Sequence, residues 1–483
     1  MLKFITEDQK RQYRSIVEQN ILCIMQQESD IIKIDEAVIL EKAEEIKMSA
    51  ITTEEREVIR ELARQVHDAA QRPEMDRKRN LWFDHNDLKT TEPVIAVFPE
   101  MSWWEIIRPE SLVCVNEEAR EIEWLLRARL FRANVIQDDI PLENIWEVQK
   151  IITDTGWDKL NPDHKNAAFG NASYIDNCLG SVPLAWKPDF NFEARSMHFE
   201  PIIKEPSQLS RLGAPEVIYH EKETLEKLKL HQDLLGDILD VQLVGKKFLY
   251  FAMVETYSDF RGLEQLMYDI YEEPEMLHEG MAIMEEGYHK LLDQYLEMGL
   301  LTTNGNQAYN GSGGMSYTHE LPNENRVCTD LKEFWGFTES QEFTMVGPEQ
   351  HWEFVQKHEK RVADRFGLTS YGCCEPVEDK LKYVLSFDCI RRISVSPWAD
   401  IEKCAERIGQ KTVYSWKPNP SYYLNNYTPD NKTFMEGYIK HMLNHTKNNC
   451  AEIVLKDTHT CQNDPMRFQA WVRDVRNWIR ETR

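Results

Sequence analysis

The sequence predicts an α/β fold, a (β/α)8 barrel with an N-terminal helical extension. Two observations carry that expectation. Short apolar runs of strand length alternate with helical stretches through the C-terminal half, and strict alternation implies parallel strands joined by right-handed helical crossovers. Neither a Gly-x-Gly-x-x-Gly nor a Gly-x-x-x-x-Gly-Lys-Ser/Thr loop follows any of these runs. That weakens the runner-up, a doubly wound nucleotide-binding sheet.

The first 80 residues read as helices, over 36–50 and 53–72. Ile59, Leu62, Val66 and Ala70 repeat at helical spacing, and Gln71-Arg72-Pro73 ends the second helix. No reactive cluster occurs there, so residues 1–80 read as an appendage with a structural or dimerising role. Residues 81–483 read as the barrel, with an irregular insertion at about 135–245. Val94–Phe98 is its first strand, with a helix expected at 116–134. Phe248–Val254 is a buried strand, and helical sequence resumes at 262. Leu277, Met281, Met284, Tyr288, Leu291 and Tyr295 then mark one face of a long helix that Gly299 stops. Strands follow at 300–303, 368–371, 390–395, 411–416 and 451–455, with helices at 349–366, 377–386, 399–408, 433–448 and 464–481.

Composition excludes several function classes. The net charge is −25, which repels phosphate backbones and anionic membrane surfaces. No window of about 18 uninterrupted apolar residues occurs, so no membrane span is expected. The amino terminus lacks the apolar stretch of a signal peptide. With only 10 cysteines, the chain reads as a cytoplasmic protein in a reducing compartment rather than a disulfide scaffold.

In a barrel the chemistry sits just past the strand ends. Two such loops concentrate reactive groups: Cys373-Cys374-Glu375, and Lys456-Asp457-Thr458-His459-Thr460-Cys461. Cysteine, histidine and carboxylate make up the ligand set zinc prefers, although adjacent cysteines are also ordinary packing residues. Lys417 and Lys456 are candidates to pair an anionic substrate. Trp104 follows the first strand at the expected barrel mouth, and the Gly/Asn-rich loop from Asn304 to Gly314 reads as a mobile lid or an ordinary surface turn. Asp138-Asp139 reads as a solvated turn. His441 and His445, four apart on a helix, are spaced to share a metal, though an exposed helix face is the more ordinary reading.

The run from Phe248 to the carboxyl terminus resembles the uroporphyrinogen decarboxylase-like superfamily, which includes zinc- and corrinoid-linked methyltransferases and relates to cobalamin-independent methionine synthase. The residues that carry the resemblance are Gly262-Leu263-Glu264, Pro274-Glu275, Gly347-Pro348-Glu349 and Tyr371-Gly372-Cys373-Cys374. Trp82, His85-Asn86, Leu88, the Tyr371–Pro376 run and Lys456–Thr460 look like a bacterial subgroup of it. The resemblance covers about residues 82–483 and implies a (β/α)8 barrel. It also implies a zinc site in which Cys373 and Cys461 are ligands. Tyr371 stands where the family has histidine, so His459 or Glu375 would complete the set. The implied activity is methyl transfer with a thiol or a corrinoid protein as carrier.

An alternative without metal uses Glu375 and Asp457 as acid and base, in a decarboxylase, lyase or hydrolase of a small acid. A non-catalytic corrinoid-protein partner is the third reading. Tyr371, a poor zinc ligand but a good proton donor, is expected to face the substrate or to support the metal from behind.

Overall fold

The computed structural model describes residues 50–161, 173–176, 179–183, 201–424 and 428–483. The helix expected over 36–50 lies outside them apart from its last position. Thr53–Arg483 form one compact unit.

Helix α1 (Thr53–Ala70) buries Ile59, Ala63 and Val66 on one face. Its Glu55 carboxylate accepts from the backbone N–H groups of Val115 and Asn116, at 2.6 and 2.8 Å, and so fixes the loop that enters α3 (Glu117–Phe131). Pro73 supplies the first residue of α2 (Pro73–Asn86), where its missing N–H costs nothing.

The centre is a six-stranded parallel sheet. Its strands are β1 (Val94–Val97), β8 (Trp335–Thr338), β9 (Leu368–Tyr371), β10 (Ile390–Val395), β11 (Val413–Trp416) and β12 (Cys450–Leu455). The spatial order is β1-β12-β11-β10-β9-β8. Every residue of β1, β8, β9, β11 and β12 is buried. That is why β1, β11 and β12 carry mostly apolar side chains on both faces rather than alternating ones. Residues 248–251 run beside β8 through a parallel bridge at Tyr250–Phe337, but a helix starts at Met253 and shortens the strand expected there. Residues 300–303 make isolated bridges rather than a strand. The sequence reading passed over β8 altogether.

The region 135–245 contains small pairs. β2 (Ile145–Gln149) pairs in parallel with β7 (Asp240–Val244). β3 (Ile152–Asp154) pairs with β6 (Val217–Tyr219), and β4 (Ser173–Asp176) with β5 (Gly180–Pro183), both antiparallel. Helix α4 (Glu221–Leu235) leads into β7. Helices α5 (Met253–Arg261), α6 (Leu263–Glu272) and α7 (Pro274–Glu297) follow. Between the later strands lie α8 (Lys357–Ala363), α9 (Ile401–Ile408) and α10 (Pro429–His445), and α11 (Met466–Thr482) closes the chain.

The open edge of β1 is finished by side chains. The Asp139 carboxylate accepts from Ile95 N and the Asp138 carboxylate from Val97 N, each at 2.9 Å. Arg132 neutralises Asp138 at 2.6 Å. The expected solvated turn is therefore a buried edge cap, since unpaired strand N–H groups must find acceptors.

The expected lid is also corrected. Residues 304–314 are buried throughout and lie against the sheet. Gly311, Gly313 and Gly314 have φ of +61°, +112° and +149°. A Cβ at these positions would meet Ser370 of β9 at 3.0 Å, Val454 of β12 at 2.7 Å and Arg392 of β10 at 2.9 Å. Glycine is what lets the backbone come this close. Asn304 acts here as a strand substitute. It accepts from Trp335 N at 2.8 Å and donates to the carbonyls of Lys247 and Trp335 at 2.9 and 3.1 Å.

Candidate active site

The carboxyl ends of the parallel strands carry the reactive groups, each placed there by the end of a buried apolar run. Glu100 follows β1, Glu339 follows β8, Cys373 to Glu375 follow β9, Lys417 follows β11, and Lys456 and Asp457 follow β12.

Gly372, with φ of +90°, turns the chain out of β9. The next loop is pinned on both sides: Cys373 N donates to Glu375 Oε2 at 2.8 Å, and Ser394 Oγ donates to the Cys373 carbonyl at 3.1 Å. The Cys373 and Cys374 sulfurs are 3.6 Å apart, with Cys373 half-buried and Cys374 exposed. The hydrogen bond between them divides their acidities. It and burial raise Cys373 well above an ordinary thiol. Cys374 is lowered by its hydrogen bond with Cys373, against burial and Asp457. Cys374 is thus the thiol that ionises first, and the thiolate is the nucleophilic form.

Two buried lysines flank this pair. Burial opposes the charge of Lys456, but its neighbours, Asp457 first, outweigh it and hold the ammonium protonated; its Nζ lies 3.2 Å from Asp457 Oδ1. Burial lowers Lys417 to about 7, with Glu452 pulling it back up, and its Nζ donates to Ser415 Oγ at 2.7 Å. Lys417 can therefore hold or release a proton at neutral pH. Glu100 is pushed up to about 7 by burial, against the Lys456 charge, and accepts from Asp457 N at 2.8 Å.

A second group of acids lies between β8, β9 and the helices beside them. Tyr250 donates its hydroxyl to Glu339, and its oxygen lies 2.7 Å from Glu255 Oε2. Burial raises Glu339 and Glu359 far above ordinary carboxyls, and carries Glu342 and Asp259 to about 7. Glu375 Oε1 is buried without a hydrogen-bond partner. Lys380, lowered to about 8 by burial against the pull of Glu375 and Glu359, turns its ammonium to the Phe343 carbonyl at 2.7 Å. Glu339 and Glu359 are therefore stored protonated at neutral pH, while Glu342 and Asp259 titrate there.

Below the site, a buried chain of charges anchors β10 and β12 to α2. Arg392 Nε lies 3.1 Å from Glu452 Oε1, and His85 Nε2 lies 3.1 Å from Glu452 Oε2. Cys450 Sγ lies 3.2 Å from His85 Nδ1. Arg392 also donates to Asn86 Oδ1 at 2.6 Å. The His85-Asn86 pair thus has a structural role.

The structure brings Cys373, Glu375, Lys417, Lys456 and Asp457 to one end of the sheet. It places the other expected residues differently. Cys461 is buried with Sγ 3.2 Å from Glu105 Oε2, and His459 is exposed. Asn304 is the strand substitute described above. Trp104 is half-buried in a helical turn, Trp103–Ile106. The Tyr371 hydroxyl lies 2.9 Å from Ser340 Oγ and accepts from Gln356 Nε2 at 3.0 Å.

The zinc implied by the resemblance can be tested against these positions. A tetrahedral zinc with two thiolates at about 2.3 Å spaces the sulfurs roughly 3.8 Å apart, so Cys373 and Cys374 suit two corners. Three protein ligands are needed for a catalytic site. Among the described residues no other Cys, His, Asp or Glu ligand atom joins that pair within 4.8 Å. The set Cys373, Cys461 and His459 is not assembled.

The sequence reading missed Glu100, Glu339, Glu342 and Glu359. Glu100 follows Pro99 directly after a strand that was recognised, and Glu339 would have followed from reading Trp335–Thr338 as a strand. Glu342 and Glu359 had no local signal.

No family model matches the chain, and no curated protein matches it. Among solved structures it is similar to a methyltransferase from Methanosarcina mazei, with a TM-score of 0.39 and 10% identity over 82% of this chain and 98% of that one. So loose a likeness carries no chemistry across. Among the described residues no helix is long and apolar enough to cross a membrane.

Proposed function

We propose that the chain is an enzyme that transfers a methyl group through a thiolate at the carboxyl ends of its parallel strands, acting on a small molecule. The observation that carries this reading is the Cys373–Cys374 pair, whose internal hydrogen bond lowers the exposed Cys374. In the transfer, the Cys374 thiolate takes the proton of a substrate thiol, whose sulfur forms a bond to the methyl carbon as the donor–carbon bond breaks. The leaving group keeps that electron pair and takes a proton from a group that titrates near neutrality, Glu100 or Lys417. Lys456 supplies the fixed positive charge beside the thiolate. In this reading the six-stranded sheet is the core of a barrel, and a corrinoid protein is the proposed methyl carrier. Exposed Trp398 and Met345, on the loops after β10 and β8, offer apolar surface to such a carrier.

The test uses free methylcobalamin as donor and a small thiol as acceptor, with the cobalamin spectrum and the mass of the thiol product as readouts. Methyl on the added thiol and loss of demethylation in Cys374→Ser are expected. Demethylation that is unchanged in Cys374→Ser would overturn the assignment.

A second reading, acid–base chemistry on a small acid without metal, draws on the carboxyls of Glu100, Glu342 and Asp259 that titrate at about 7. Turnover that survives Cys373→Ser and Cys374→Ser but not Glu375→Gln favours it.

A further inference from the structure

A different cluster lies on the outer helices. His441 and His445 stand one turn apart on α10, and Glu402 stands in the first turn of α9. Both imidazoles turn Nε2 toward the same carboxylate oxygen, Glu402 Oε1, at 3.7 and 3.4 Å. The two rings have centroids 4.7 Å apart. The three ligand atoms all lie within 4.8 Å of one another, the only such group of three His, Cys, Asp or Glu side chains among the described residues.

The distances decide what this group suits. A direct N–H···O hydrogen bond spans about 2.7–3.2 Å, so neither imidazole is seated on the carboxylate. Two ligands at about 2.0–2.1 Å in a tetrahedral shell lie roughly 3.4 Å apart. The observed separations fit ligands around a common ion better than partners in an ion pair. A histidine at the end of a helix already suits the helix dipole. That accounts for His445 alone, and not for a second imidazole and a carboxylate from another helix converging on it.

The two helices are also held in place. Asp400 caps α9 by accepting from Lys403 N at 3.0 Å, and Thr428 caps α10 by accepting from Asn431 N at 3.2 Å. Asn449, just beyond α10, donates to the carbonyls of Ala405 and Gly409 at 3.0 and 2.8 Å, tying the end of one helix to the other. Ligands on rigid elements are what a preorganised metal site needs.

We propose that Glu402, His441 and His445 bind one divalent transition-metal ion, of the zinc or nickel class, which clips α9 to α10. Two imidazoles and a carboxylate are ligands for such ions rather than for calcium or magnesium, which take oxygen alone. Water fills the remaining positions, because all three side chains are exposed. The site is independent of the thiols and of the methyl-transfer reading.

The test is zinc binding by the full chain carrying Cys373→Ser and Cys374→Ser, measured by competition with a chromophoric chelator and by thermal melting with zinc alone. One zinc per chain and a zinc-dependent rise in Tm are expected. Glu402→Ala, His441→Ala and His445→Ala, added singly, should each weaken binding by at least about tenfold and remove the rise in Tm. All three positions are exposed, and circular dichroism without zinc should be unchanged. Binding that persists undiminished in all three variants would overturn the proposal, as would no rise in Tm up to about a millimolar zinc.

Discussion

Replacing Gly313 by alanine tests whether the Gly/Asn-rich loop is really seated against the sheet. Gly313 has φ of +112°, a conformation that L-residues rarely adopt. Its new Cβ would lie 2.7 Å from Val454 Cγ1, on a fully buried strand. Backbone strain of this kind costs about 1–3 kcal/mol, and overpacking a dense core costs about 1–3 kcal/mol more. Gly313→Ala should therefore destabilise the fold by roughly 2–6 kcal/mol. Gly437 provides the control. It lies inside α10, and a Cβ there meets nothing within 4 Å, so Gly437→Ala should stabilise by up to about 1 kcal/mol. Urea denaturation of both variants beside the parent gives the comparison. A loss below about 0.5 kcal/mol for Gly313→Ala would mean that the loop does not pack on β12.

Two further predictions concern buried charges. Burial lowers the His85 imidazole, but Cys450 and Glu452 outweigh it and carry His85 to about 9. Its folded value therefore lies above its unfolded value, so its stabilising contribution is complete below pH 6.5 and is lost as pH rises through 9. Urea midpoints should fall between pH 6 and 9.5 by the equivalent of roughly 3 kcal/mol, and His85→Gln should lose most of that dependence. Asp138→Ala would strand Arg132, only 2 % exposed, and the Val97 N–H. Breaking one partner of such a buried pair costs about 3–5 kcal/mol, against under about 1 kcal/mol for an exposed pair such as Lys222–Glu226, so thermal melting separates the two.

Five of the six sheet strands were legible because each is a short strand-length run with helical sequence on either side, and the predicted boundaries of β9 and β10 agree with those observed. β8 was not, since Trp-Gly-Phe-Thr is short and contains a glycine that weakens any strand reading. The loop 304–314 and Asp138-Asp139 were misread for one shared reason. Their composition is that of surface turns, and the partners that bury them lie in distant parts of the sequence: Ser370, Arg392 and Val454 for the loop, and the β1 backbone for the aspartates. Most strand-end residues of the site followed from the strands themselves, Glu100 and Glu339 excepted. The acids on the flanking helices did not, because burial raises a carboxyl pKa without leaving any mark in the local sequence.

The pH dependence of iodoacetamide alkylation, resolved by peptide mass, tests the central claim that Cys374 is the ionised thiol of the site. Cys374 should react first, with a midpoint below that of an ordinary thiol. That midpoint should rise in Cys373→Ala, which removes the hydrogen bond that lowers it, while Cys461, buried against Glu105 and raised to about 12, stays unmodified. A Cys374 midpoint at or above the free-thiol value, unmoved by Cys373→Ala, would contradict the account.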